Sequence, residues 1–107
     1  MIPSETRLEI SRMGTTLHLA PMVDLTASTV GELRKAMLAA VAAAPEEVLL
    51  DLAAVEQIDS LGISLILGLF KNCRNTGADF RITAARPDLM RVFRLFNLPK
   101  FFPIQEG

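Results

Sequence analysis

The sequence has few of the residues from which reactive or cross-linked sites are built. Its 107 residues contain no tryptophan, no tyrosine, one cysteine and one histidine. A single cysteine excludes an internal disulfide and cannot form a thiolate zinc cage. The one histidine, His18, offers little for metal ligation or for histidine-based acid–base catalysis. We therefore expect no metal site, no cofactor and no catalytic residues.

Neither sign of charge dominates the chain, and no apolar stretch is long. Eleven basic residues against twelve acidic ones give a net charge of −1, which lacks the electrostatic footprint of a nucleic-acid or anionic-membrane binder. The longest apolar run is broken by Ser64 and ends at Phe70, short of the roughly 20 residues that span a bilayer. The first seven residues lack the apolar core of a signal peptide. We expect a cytoplasmic protein with no direct nucleic-acid partner and no membrane insertion.

Half of the residues are apolar and 21% are charged, a balance that predicts one globular domain over residues 1–107. Alternating residues at 8–11 and 16–19, around a turn at Met13-Gly14-Thr15, predict an opening hairpin. Cap-type residues Asp24 and Thr26 precede a helical stretch that runs to about Ala44 before Pro45. Its expected apolar face comprises Val30, Leu33, Met37, Leu38 and Val41.

The second half of the sequence alternates strands and helices. Residues 48–52 form a short continuous apolar run typical of a buried strand, and residues 80–84 alternate as a strand does. Helices are predicted from Ser60 to about Asn75, ended by Gly77, and from Pro87 to about Phe96. This order predicts an α/β fold in which a mixed sheet is joined by right-handed crossovers.

The most informative passage is the junction between the buried strand and the next helix. Asp59 is a plausible N-cap, and Ser60 is then the first helical residue, beside the positive end of the helix dipole. An exposed serine there is a place where an added phosphate would be accommodated by the dipole and the free amides. Capping alone is the plainer interpretation of Asp59 and Ser60.

A projection of this helix at 100° per residue separates two faces. A broad stripe faces the sheet: Ile63, Ile66, Leu67, Leu69, Phe70 and Cys73. Ser60, Ser64 and Gly68 form a row of small residues on the other side, flanked by Leu61 and Leu65. This strip has the shape of a surface on which another protein could lie, unless neighbouring loops cover the two leucines.

These residues resemble a known family. The strand at 48–52, the passage Ile58-Asp59-Ser60-Leu61-Gly62, the following helix, Gly77 and the closing segment 95–104 are similar to a STAS domain. Within that family the likeness is to bacterial anti-sigma factor antagonists, and it covers nearly the whole chain. The resemblance implies a small mixed sheet of about four strands with about three helices packed largely on one side.

The resemblance also implies a function. In the family, the serine at this junction is phosphorylated by an anti-sigma factor that is a serine kinase, and a serine phosphatase restores the hydroxyl. Ser60 matches that serine, between the family's aspartate (Asp59) and its glycine (Gly62). The unmodified protein would bind the kinase and release the sigma factor, and phosphorylation would end that binding. The expected partner-binding residues are Asp24, Asp59, Ser60, Leu61, Gly62, Ser64, Leu65 and Gly68.

Two departures from the family's pattern bear on partner choice. Where members often have Gly-Glu-Leu-Asp after the second strand, this chain has Pro21-Met22-Val23-Asp24, so Asp24 is kept and the glutamate is missing. The position after the serine is usually small, whereas Leu61 is bulky.

Two other functions fit parts of the sequence. The Leu-Asn-Leu-Pro at 95–99 is somewhat like STAS subunits that regulate ABC-type lipid transporters by binding their ATPase. A serine hydrolase built on Ser60 is disfavoured, because no Gly-x-Ser-x-Gly elbow is present and His18 lies in an unrelated strand.

The closing segment is rich in phenylalanine and basic residues. We expect Phe93, Phe96, Phe101 and Phe102 to be core and closing contacts rather than a ligand cage. Arg91, Arg94 and Lys100 are expected to form a solvated edge. Cys73 is predicted to be a reduced core residue.

Overall fold

The computed structural model describes residues 7–107, which alternate strands and helices after an opening hairpin. The hairpin consists of β1 (Leu8–Met13) and β2 (Thr16–Pro21). The chain continues through α1 (Val30–Val41), β3 (Glu47–Asp51), α2 (Ser60–Thr76), β4 (Asp79–Ala85) and α3 (Pro87–Leu95). A 3-10 turn at Leu98–Lys100 leads into β5 (Ile104–Glu106). The predicted α/β class and order of elements are confirmed.

The strands form one mixed sheet in the order β1-β2-β3-β4-β5. β1 pairs antiparallel with β2, and the remaining neighbours are parallel. Five strands stand where about four were expected. The extra strand, β5, has three residues after Pro103 and pairs irregularly with β4 through Ile82↔Ile104 and Ala85↔Glu106. Three residues are too few to show the alternating pattern by which a strand is recognised in a sequence.

The core lies on one face of the sheet. Alternate residues of the central strands are buried there: Leu17, Leu19, Val48, Leu50, Phe80 and Ile82. α1 packs against β1 and β2, α2 packs against β4, and the two helices contact each other. The predicted arrangement of helices largely on one side is therefore confirmed. Cys73 lies in this core, and burial raises the pKa of its thiol to about 11, which keeps it protonated at neutral pH.

α1 is shorter at both ends than the sequence predicts. It begins at Val30 because residues 24–29 form a loop, in which the Thr29 hydroxyl donates to the Asp24 carbonyl oxygen at 2.6 Å. It ends at Val41, and the alanine run turns away through Ala44, which adopts a φ of 57° before the buried Pro45. Alanine favours a helix, but this reversal of the chain into β3 overrides that preference.

α2 and α3 follow their predicted boundaries closely. Asp59 caps α2, and Gly77 ends it in the left-handed conformation with a φ of 81°, as the sequence indicated. Pro87 opens α3. Between residues 7 and 107 no helix is both long enough and apolar enough to cross a membrane.

Of the four phenylalanines expected to be core and closing contacts, two are not buried. Phe93 and Phe102 are buried, whereas Phe96 and Phe101 are about half exposed. Both exposed rings flank the 3-10 turn, which begins after Asn97 with a φ of 58° and carries the chain along the surface. The solvated edge is confirmed, because Arg91, Arg94 and Lys100 are all exposed.

Candidate functional site

Ser60 stands at the first position of α2 with its side chain in solvent. Asp59, immediately before it, is in extended conformation, so the chain turns sharply into the helix at this serine. The Ser60 residue is exposed, and no side chain within residues 7–107 hydrogen-bonds to its hydroxyl. The predicted location of Ser60 is confirmed, and its oxygen is accessible from outside.

The Asp59 carboxylate occupies the amino end of the helix. Its Oδ1 accepts hydrogen bonds from the amides of Leu61 at 2.9 Å and Gly62 at 3.0 Å. Its Oδ2 accepts from the amide of Ala27 at 2.9 Å. The Gly62 amide is the main cause of a lowered pKa for Asp59; desolvation opposes it, and the amides of Ala27 and Leu61 assist. Asp59 is therefore a negative charge at neutral pH, directly beside Ser60.

This geometry changes the expectation for a phosphate on Ser60. The amides at the second and third positions of α2 already donate to Asp59. A phosphate would have to displace that carboxylate or remain in solvent next to it, where the two like charges repel. Two of the amides that the sequence suggested for holding a phosphate are thus taken by the cap.

A second carboxylate ties the loop before α1 to the loop before α2. Asp24 Oδ1 accepts from the amides of Glu56 at 2.9 Å and Gln57 at 3.2 Å. Asp59, in the second loop, accepts a hydrogen bond from the amide of Ala27 in the first loop. Between them, Leu25 and Ile58 form a parallel bridge. Asp24, predicted as a partner contact, is thus half-buried and holds the framework of the site.

Gly62 is a packing position. A Cβ at this residue would lie 2.3 Å from the Leu25 carbonyl oxygen and 2.5 Å from Ile58 Cγ1. The first turn of α2 therefore rests directly on the loop at Leu25, and only glycine fits. Gly62 is buried in the first turn of α2, and its contact with a partner stays a prediction.

Within residues 60–70 of α2 the exposed residues are Ser60, Leu61, Ser64 and Gly68. Leu65 is not one of them, because this residue is only 3% exposed. The projection of α2 predicted Leu65 beside the exposed strip, with cover by neighbouring loops as the alternative. α1 covers that flank, and Leu65 lies in the groove between the two helices.

The groove between α1 and α2 adds residues that the sequence did not indicate. It has a volume of about 80 Å³ and is lined by Arg34, Met37, Leu38, Leu65, Gly68 and Leu69. Leu38 was predicted in the core, yet it is 38% exposed. It follows Val30 by eight residues, which turns it about 80° around the helix from Val30, away from Leu33 and Met37, and could have indicated an edge position. Leu38 and Leu61 are both exposed leucines of this helix pair.

His18 lies on the other face of the sheet. Its Nε2 is 3.4 Å from Asp51 Oδ2, and it alternates with the buried Leu17 and Leu19. The histidine is therefore a half-buried strand residue paired with a neighbouring strand.

Comparison with known proteins identifies the family. A profile of the STAS domain matches residues 8–107, so the chain belongs to the STAS domain family. The fold is shared with a Thermotoga maritima protein assigned as an anti-sigma factor antagonist, at a TM-score of 0.87 and 21% identity over 94% of this chain and 86% of that one.

Two further solved structures have the same fold. An anti-sigma factor antagonist from Mycobacterium paratuberculosis aligns with a TM-score of 0.84 and 23% identity over 94% of this chain and 85% of that one. The Bacillus cell fate determinant SpoIIAA in its phosphorylated form aligns with a TM-score of 0.72 and 15% identity, over 94% of this chain and 91% of that one. At these identities the likeness is one of fold.

Proposed function

We propose that this protein is an anti-sigma factor antagonist. In its unphosphorylated form it binds a serine-kinase anti-sigma factor in the cytoplasm and thereby releases a sigma factor. The kinase phosphorylates Ser60, the complex separates, and a serine phosphatase restores the hydroxyl. The protein acts as the substrate of the kinase and supplies no catalytic group.

The observation that carries the proposal is the accessible hydroxyl of Ser60 beside a docking face. Ser60 is exposed at the start of α2, and Leu61, Ser64 and Gly68 continue along the same side of the helix. Small residues allow a partner's backbone to approach closely, while Leu61, 46% exposed, supplies apolar area. SpoIIAA, which shares the fold, has itself been solved in a phosphorylated form.

The charge around Ser60 explains why phosphorylation would end the binding. A phosphate adds about −1.5 to −2 charges at neutral pH. Asp59 already places one negative charge at the same point, and its lowered pKa keeps it ionised. Burying this combined charge without a matched cation costs several kcal/mol. About 5.5 kcal/mol moves a complex from nearly all bound to nearly all free. The cost of burying the charge of one phosphate is therefore of the order needed to separate the complex.

Phosphorylation is tested by intact-mass measurement after incubation with a serine-kinase anti-sigma factor from the same genome, ATP and Mg²⁺. We expect the mass of one phosphate on the native protein and none on Ser60→Ala. Ser64→Ala removes a hydroxyl one turn further along the same exposed face. This matched control should accept phosphate as the native protein does.

A phosphate that persists on Ser60→Ala would overturn the assignment of the acceptor. Absence of any mass gain on the native chain, together with copurification of a transport ATPase, would favour regulation of an ABC-type lipid transporter instead.

A further inference from the structure

A wide groove in the described part of the chain lies far from Ser60. It opens between the last turns of α2, the start of β4 and the segment after the 3-10 turn, with a volume of about 600 Å³. That volume falls within the 300–1,000 Å³ typical of small-molecule sites. Arg74, which lines it, is fourteen residues beyond Ser60 on α2 and thus about 21 Å along the helix axis. We call it the C-terminal groove.

Two phenylalanine rings give the C-terminal groove an apolar wall. Phe70 lies 5.0 Å from the buried Phe102 and 6.3 Å from Phe101, measured between ring centroids. Phe101 is 54% exposed and Phe70 is half-buried, and both line the groove. An aromatic ligand would therefore have two rings on which to stack: Phe70, which packs against the buried Phe102, and the more exposed Phe101.

The rim of the groove carries an excess of positive charge. Arg74 and Lys100 line it, and within residues 7–107 neither has an ion-pair partner. Asp79 is the acidic residue that opposes them.

The other charges at the groove cancel. Arg81 Nη2 lies 2.9 Å from Glu47 Oε2, and Glu47 Oε1 accepts from the Thr16 hydroxyl at 3.2 Å. The rim thus keeps a net charge of about +1 in a protein whose net charge is −1.

We propose that the C-terminal groove binds a small organic anion with an aromatic body. The ring of the ligand stacks on Phe101 beside Phe70, and its anionic group pairs with Arg74 and Lys100. Charge-assisted hydrogen bonds to guanidinium and ammonium groups would fix its orientation. This site shares no residue with the Ser60 face and stands independently of the proposed function.

The test uses 8-anilinonaphthalene-1-sulfonate, a fluorescent aromatic anion, titrated against the folded protein. We expect saturable one-to-one binding. The double variant Arg74→Gln/Lys100→Gln should weaken it at least about tenfold, since it removes the hydrogen bonds to a charged group. Phe101→Ala should also weaken it. The neutral analogue N-phenyl-1-naphthylamine should bind the native protein at least about tenfold more weakly.

Two controls separate the groove from the rest of the surface. Arg94→Gln removes an exposed arginine outside the groove and should leave the affinity unchanged. Leu95→Ala removes an 80% exposed leucine outside the groove. The proposal is overturned if no saturable binding occurs, if the neutral analogue binds as tightly, or if Leu95→Ala abolishes the signal while the double variant keeps it.

Discussion

Asp59 is the residue on which the geometry of the site depends. One carboxylate accepts three amide hydrogen bonds, two from the first turn of α2 and one from Ala27 in the loop before α1. These bonds favour the charged form, which is why the pKa of this carboxyl is lowered. Asp59 therefore fixes both the start of the helix and the place at which Ser60 is presented.

The pH dependence of stability should reveal this role. Because the folded-state pKa of Asp59 is depressed, its contribution is present above its unfolded pKa, near 4, and is lost as pH falls through the lower folded value. Asp59→Asn keeps a capping side chain without the charge. Urea unfolding should show native and variant proteins farthest apart above about pH 5 and converging below about pH 4. A difference that stays constant down to pH 3 would contradict this.

Gly62 is a position at which a single methyl group should be destabilising. In Gly62→Ala the new Cβ meets the Leu25 carbonyl oxygen, a backbone atom held in the loop bridge. We expect a loss of about 1–3 kcal/mol in the free energy of unfolding, measured by urea denaturation.

Gly68→Ala is the matched control on the same helix. Nothing lies within 4 Å of a Cβ at Gly68, and alanine favours a helix interior by about 1 kcal/mol over glycine. This variant should be more stable than the native protein. Equal effects at the two glycines would refute the close approach at Gly62.

For individual residues, the sequence predicted the helix cap and the helix end correctly. It did not predict which side chains are covered or bound by distant elements of the fold. Asp59 and Gly77 were recognisable because caps and left-handed helix ends depend on residues close in the chain. The burial of Leu65 depends on where α1 lies, which a projection of α2 alone does not contain. The structural role of Asp24 was hidden for the same reason, since its partners are 32 and 33 residues away.

Among the elements, the two loops before α1 and α2 act as one unit. Asp24 binds amides of the second loop, Asp59 binds an amide of the first, and the Leu25–Ile58 bridge lies between them. The face that carries Ser60 is therefore supported by a paired set of loops at the carboxyl ends of β2 and β3.

Asp24→Ala should loosen this unit without dismantling the sheet. The amides of Glu56 and Gln57 lose their acceptor, and we expect a loss of about 1–2 kcal/mol in unfolding free energy. Amide hydrogen exchange should accelerate at these two residues and remain slow at Val48 in β3. Uniform acceleration, or none, would show that the loops do not depend on Asp24. Glu56→Ala, which leaves both amides and Asp24 in place, is the control.

The docking face should extend from α2 onto α1. Leu38 is exposed on α1 and lines the groove beside Gly68. If a partner lies along this helix pair, Leu38→Ala should weaken its binding about fivefold or more, measured by calorimetry. Leu95→Ala removes a more exposed leucine on α3 and should have no effect. Equal losses for both variants would place the interface elsewhere.

The elements that the sequence predicted well have a strong apolar pattern or clear ends. β3 has a continuous apolar run, α3 has a clear start at Pro87, and α2 has both an apolar stripe and clear ends. α1 was overextended because Ala42, Ala43 and Ala44 favour a helix locally, while the reversal at Ala44 is set by the course of the chain into β3. β5 was not predicted because its three residues form a strand only through their pairing with β4.

On the scale of the whole molecule, α2 separates two surfaces of different chemistry. Its amino end presents Ser60 beside the charged Asp59 and the apolar Leu61. Its carboxyl end contributes Phe70 and Arg74 to the C-terminal groove. The two lie about 20 Å apart along one helix, so substitutions at one surface should leave binding at the other unchanged.

In the proposed function, phosphate on Ser60 separates the protein from its partner. The most direct test is the dissociation constant for a serine-kinase anti-sigma factor, measured by calorimetry with the unphosphorylated protein and with protein phosphorylated at Ser60. An uncompensated charge at an interface predicts binding at least about 100-fold weaker for the phosphorylated form. Ser60→Ala should bind as the unmodified protein does. Equal affinity of the two forms would contradict the account.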